Sequence, residues 1–195
     1  MNRKSILTLA IALVVVVSVA QSASAYVLLS PRRTWASTPV VVNVYNVGNN
    51  TITDSDGGVT AVVGAIRAWG IVNSAATPLQ AVRGAAPATI MLNTNGHICS
   101  GSCLAATLTG YYSGSTITDA DVYTTTKTKL YSSREPDGCS AEYDIDGIMV
   151  HEVGHVIGIG HSNVSGATMY PSVSACNAAN RTLEADDIAA KNDLY

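Results

Sequence analysis

Hydrophobic and polar positions alternate along the chain in several distinct ways, and each pattern predicts an element. Ile6 to Ala20 is a largely apolar run behind a basic start, Arg3-Lys4, and ahead of the small residues Ala23-Ser-Ala25. That order reads as a signal peptide over residues 1–25. The run falls short of the about 20 residues needed to cross a bilayer, with an uncleaved anchor as the competing reading. Pro31 to Trp35 is an approach segment, and Pro39 to Tyr45, with Val42 and Val44 at alternate positions, predicts a first strand. Asn46 to Gly58 is polar and glycine-rich and reads as a loop. Val59, Val62, Val63, Ile66 and Trp69 recur at helical spacing and predict one apolar stripe, with Trp69 in the core. Thr77 to Ala88 carries no period, Thr89 to Leu92 suits a short buried strand, and Asn93 to Ser102 reads as a loop. Leu104 to Tyr112 and Ile117 to Thr125 predict two further strands around Ser-Gly-Ser, and Lys127 to Cys139 a polar connection. A helix is predicted from Asp144 or Asp146, either of which can cap it, with Ile145, Ile148, Met149, Val153, Val156 and Ile157 turned inward. A last helix is predicted from a Thr182 cap to about Leu194, burying Leu183, Ile188 and Leu194. With no internal repeat and no long linker, residues 26–195 read as a single domain, large enough for one substantial core.

Three of the four histidines lie in one stretch, His151-Glu-Val-Gly-His-Val-Ile-Gly-Ile-Gly-His161. On a helix His151 and His155 are one turn apart and project together, so one metal ion can take both rings. Glu152 sits about 100° round the helix, placed to touch a water on that metal without binding it. A continuing helix would carry His161 roughly 15 Å further along the axis. His161 therefore joins the site only if the helix stops and the chain turns back, for which Gly158 and Gly160 provide, glycine entering φ > 0 without a Cβ penalty. Three neutral imidazoles with an open fourth position suit a catalytic zinc site better than a structural one. A bare His-Glu-x-x-His also occurs on ordinary helices with no metal, and that reading weakens as the glycine and the third histidine fall into register.

His-Glu-x-x-His-x-x-Gly-x-x-His resembles the metzincin signature. Met169, in Ser165-Gly-Ala-Thr-Met-Tyr-Pro171, fits the family's methionine turn, and Met-Tyr-Pro after the third histidine is most similar to the matrixin branch. The tyrosine that serves as an extra ligand in astacins and serralysins has Pro171 in its place. Trp35, the first strand, the Trp69 helix, the run Asp186-Asp-Ile-Ala-Ala and the ending Leu194-Tyr195 also resemble a matrixin catalytic domain. The resemblance implies an α+β, zincin-like catalytic domain. It would have a twisted mixed sheet with an antiparallel edge strand, an active-site helix, a methionine turn and a C-terminal helix. It further implies one catalytic Zn2+ on His151, His155 and His161, Glu152 as the catalytic base, and Met169 as a floor beneath the imidazoles. Leu104, Ala105 and Ala106 would lie on the cleft rim that runs to Leu108, and the segment Tyr170 to Val173, starting with Tyr170 and Pro171, would wall the substrate pocket. Animal matrixins hold a second zinc with three histidines and an aspartate. This chain, with His97 alone in its loop, has too few histidines, so that site is expected to be absent, as is the propeptide cysteine switch, since no cysteine precedes Cys99.

Composition narrows the alternatives. Charged residues make up 13% of the chain and the net charge is −3, which becomes more acidic once Arg3 and Lys4 leave. With no basic run, neither nucleic-acid binding nor stable membrane association is expected. Four cysteines in an exported chain read as two disulfides with three possible connectivities. Cys99–Cys103 and Cys139–Cys176 are favoured, the first closing a short loop and the second joining the segments either side of the histidine helix; a four-cysteine zinc site is the rival. Asp119 and Asp121, two apart on a strand, face one side and offer weak support for Ca2+. The reading is a secreted, monomeric zinc endopeptidase acting on protein or peptide substrates. Its rivals are a catalytically silent zinc-holding binding module and a metal-dependent hydrolase of non-peptide bonds.

Overall fold

Val40, Val42 and Val44 alternate inward along β2 (Val40–Asn46), and all three are buried. This strand lies in the middle of a six-stranded sheet. β3 (Val72–Ser74) runs parallel along one edge of it and β4 (Ala88–Leu92) along the other. β4 pairs parallel with β6 (Thr116–Thr124), whose start also pairs parallel with the two-residue β1 (Thr34–Trp35). β5 (Ala105–Ser113) runs antiparallel to β6, its only strand partner among the described residues. The computed structural model describes residues 25–46, 52, 58–74, 88–92, 99, 101–131, 139 and 141–195.

One face of the sheet is apolar because paired strand residues share a face. Val42, Ala88 and Ala120 stand in one register row, Val44, Ile90 and Val122 in the next, and all six are buried. Helices α1 (Val59–Trp69) and α2 (Ile145–Val156) pack into the same core. On α1 the buried face is Ala61, Val62, Ala65, Ile66 and Trp69, and Val63 is only half-buried. The Trp69 indole donates to the Val150 carbonyl at 2.7 Å, which satisfies its one polar atom and ties the two helices together. All six apolar residues expected to face inward on α2 and its end are buried.

Several boundaries differ from expectation. The polar connection contains β7 (Leu130–Tyr131), which pairs parallel with β8 (Tyr143–Asp144) just before α2. Asn46 ends β2 and Ala88 begins β4, so neither belongs to a loop. Thr77 to Pro87 and His97 lie outside the described residues. The last helix, α3 (Ala185–Leu194), is not capped by Thr182. Glu184 and Asp187 form a reciprocal capping box, and Thr182 lies in extended backbone after a 3-10 turn over Ala179–Arg181. Its inward residues are Asp187, Ala190 and Leu194; Leu183 packs against the core, whereas Ile188 is 43% exposed. Both disulfides are formed, Cys99–Cys103 and Cys139–Cys176.

Candidate active site

The site is built on α2, and both ends of that helix are fixed by polar contacts. At the start, Asp144 accepts from the Gly147 N–H at 3.1 Å, as a capping residue does. The same buried carboxylate takes two hydrogen bonds from Arg181, both 2.9 Å, which pin the segment after the 3-10 turn to the helix start. At the other end Ile157 caps the helix and Gly158 adopts φ 99°. The Gly158 N–H donates to His155 O and the Ile159 N–H to Gly154 O, both at 3.0 Å. This is the Schellman arrangement, which needs a left-handed residue after the cap. A Cβ on Gly158 would also meet the Arg33 carbonyl at 2.5 Å. Gly160 serves differently from expectation. It has no positive φ; its importance is close packing, a Cβ there meeting the Val27 carbonyl at 2.9 Å. The remaining terminal carbonyls are also satisfied, Val156 O by the Trp35 indole at 2.7 Å and Ile157 O by the Tyr195 hydroxyl at 2.9 Å.

The turn brings His161 back to His155, with their Nε2 atoms 3.2 Å apart. His151, His155 and His161 each offer a ring nitrogen, and these nitrogens lie within 4.8 Å of one another. His151 Nδ1 is 2.7 Å from the Thr168 carbonyl and His155 Nδ1 is 2.7 Å from the Ile159 carbonyl. A carbonyl only accepts, so in both neutral rings Nδ1 carries the proton and Nε2 keeps its lone pair. Burial lowers the pKa of His151 to about 4, with the neighbouring His155 adding to it. Burial likewise lowers His155 to about 4, and His161 moves down in the same direction. All three rings are therefore neutral near pH 7, as metal ligation requires. The donor set fits zinc. Tetrahedral Zn–N bonds of about 2.0–2.1 Å hold two nitrogens about 3.3 Å apart, which is close to the observed His155–His161 spacing.

Glu152 is 5% exposed on the next face of α2. Burial raises its carboxyl pKa; the nearby His151 and a hydrogen bond from the Thr107 hydroxyl oppose that rise. Thr107, on β5, donates to Glu152 Oε2 at 2.5 Å. Thr107 falls within the rim expected from Leu104 to Leu108, but its pairing with Glu152 could not be read from the sequence, because the two are 45 positions apart.

Met169 is fully buried, and a Cβ on Gly154 would overlap its sulfur and come within 2.7 Å of Trp69. The helix thus rests on Met169 at the turn between His151 and His155. The Met169 loop is held from α3: buried Asp187 accepts from the Thr168 N–H at 2.8 Å and the Met169 N–H at 3.0 Å. Met169 O accepts from Ser162 N–H at 2.7 Å, directly after His161. Asp187 therefore acts on the imidazoles at one remove, through the Thr168 carbonyl that orients His151. Its only trace in the sequence is the acidic pair Asp186-Asp187 at the start of a helix. Asp186 accepts from the backbone N–H groups of Ala25 and Tyr26, both at 3.1 Å, and from the Ser162 hydroxyl at 2.7 Å.

A cleft of about 980 Å³ opens over the three histidines and Glu152. Leu104, Ala105 and Ala106 line it from the start of β5, and Tyr170, Pro171 and Val173 from the segment after Met169. Asp119 and Asp121 are elsewhere, on β6. Burial and the Asp121 charge raise the Asp119 pKa, and among the described residues they belong to no group of three metal-ligating side chains.

A mixed sheet backed by helices thus carries a histidine triad that could hold a metal ion, with a buried glutamate next to it, beside a cleft. The matrixin family profile matches residues 93–195, and the chain belongs to that family. Metalloendoproteinase 4-MMP of Arabidopsis thaliana is 39% identical over 56 residues, 29% of this chain and 16% of that protein. Karilysin of Tannerella forsythia is 46% identical over 52 residues, 27% of this chain and 10% of that protein. Neutrophil collagenase of Homo sapiens is 38% identical over 56 residues, 29% of this chain and 12% of that protein. Each match thus spans less than a fifth of the relative's own length.

Proposed function

We propose that the protein is an exported zinc-dependent endopeptidase that cleaves peptide bonds in proteins. The observation that carries this reading is the convergence of three neutral imidazoles beside one buried carboxylate at the floor of an open cleft. His151, His155 and His161 would hold the metal through Nε2. When bound, zinc supplies Lewis acidity towards a carbonyl oxygen and makes water acidic enough to attack near neutral pH. Glu152 is the proton carrier: its carboxylate takes a proton from the attacking water and returns it to the departing amine. The edge of β5 away from β6 faces an extended substrate, with Leu104, Ala105 and Ala106 lining the cleft from the start of that strand and Tyr170 and Pro171 lining it from the loop after Met169. The loop at Met169 takes the part of a methionine turn. Export rests on residues 1–25, read as a signal peptide. No helix among the described residues is long and apolar enough to cross a membrane.

Glu152→Gln keeps size and removes the base. Zinc is expected to stay bound, while hydrolysis of casein falls by about 10²–10⁴-fold. Casein cleavage that survives a chelator contradicts the metal-dependent reading. Bound zinc with no wild-type cleavage would favour the silent binding module instead.

A further inference from the structure

We infer that Thr107 is a positioning residue for Glu152, and that its hydroxyl fixes one carboxylate oxygen of the base to the cleft strand. The inference rests on the peptidase reading above. Register decides which way residue 107 faces. Thr107 pairs with Val122, which is fully buried on the helix-facing side of the sheet, and Leu108 pairs with Asp121 on the other side and is 47% exposed. Paired strand residues share a face, so Thr107 is directed at α2. A hydroxyl has one hydrogen. Two acceptors of Glu152 are in range, Oε2 at 2.5 Å and the backbone carbonyl at 3.3 Å. The shorter contact to the carboxylate is the charge-assisted one. Threonine suits the position because a β-branched side chain has few rotamers on a strand, so the hydroxyl is held where the carboxylate needs it. With Oε2 engaged, the second oxygen is the one that exchanges protons. The arrangement also couples two parts of the reaction, since the strand offered to the substrate backbone is the strand that holds the base.

Thr107→Val keeps the shape and removes the hydroxyl. In the zinc-loaded protein it is expected to lower kcat on a peptide substrate by about tenfold while KM stays within about twofold. Thr107→Ser, which restores the hydroxyl, should recover most of kcat, and Thr107→Ala should show the same loss as Thr107→Val. All three variants should bind zinc as tightly as the wild type. A crystal structure of metal-free Thr107→Val should show the Glu152 carboxylate released from its single orientation. The assignment is overturned by a Thr107→Val kcat equal to that of the wild type, by a Thr107→Ser protein as impaired as Thr107→Val, or by an unmoved Glu152 in that crystal structure. A wild-type protein without chelator-sensitive cleavage overturns the peptidase reading and this assignment together, whereas a wild type that cleaves beside an equally active Thr107→Val overturns the assignment alone.

Discussion

At the scale of single residues, the site depends on positions with little side chain as much as on the three histidines. Gly158 carries a positive φ and lies against the Arg33 carbonyl, so any Cβ there meets both backbone strain and a rigid neighbour. Gly158→Ala is expected to destabilise the fold by about 2 kcal/mol or more, read as a lower midpoint in urea. Gly64, exposed on α1 with nothing within 4 Å of a built Cβ, is the contrast. There alanine should stabilise by about 0.5–1 kcal/mol. Equal effects at the two glycines would contradict the packing argument. The histidines, Glu152 and Gly158 were legible in the sequence because their spacing along one helix and its end translates directly into geometry. Gly160 was only half legible, since its φ is ordinary and its need for a small side chain comes from Val27, far away in the chain. The site contacts of Thr107 and Asp187 were not legible, because each reaches its partner across elements that only the fold brings together.

Among the elements, α3 shows how a buried charge misleads a reading of hydrophobic period. The apolar spacing pointed Ile188 inward, yet that side of α3 is taken by Asp187, whose carboxylate serves three backbone N–H groups: those of Thr168, Met169 and Glu184. Thr182, the expected cap, is engaged elsewhere; its carbonyl accepts from the Thr168 hydroxyl at 2.8 Å. α3 is thus a clamp on the Met169 loop, and through Thr168 O it sets the ring of His151. Asp187→Asn puts an amide donor against backbone donors. It is expected to cost about 1–3 kcal/mol of stability and to weaken zinc binding about 10–100-fold, measured by competition with a chromogenic chelator. Unchanged zinc affinity in a destabilised Asp187→Asn protein would show that α3 holds the loop without governing the ligand.

Over the whole molecule, the site draws on distant stretches of chain. β1, through Trp35, and the final residue Tyr195 both close the end of α2, and Leu28 bridges to Ile159 beside the returning loop. The inward faces of β2, α1 and α2 could be read from local periods, and the α+β class from the resemblance carried by the histidine stretch and the Met169 segment. The sheet order could not. β3, a three-residue strand, and β7, a two-residue one, carry too little pattern to stand out, and parallel pairing joins segments that are far apart in sequence. What all these contacts produce is one tripod of nitrogens. The most direct test is anomalous diffraction at the zinc edge from crystals of the purified protein. The account predicts a single ion bound by Nε2 of His151, His155 and His161, with Glu152 near it but not coordinated. An ion that engages Glu152 and leaves His161 free, or zinc held only at another site, would contradict it.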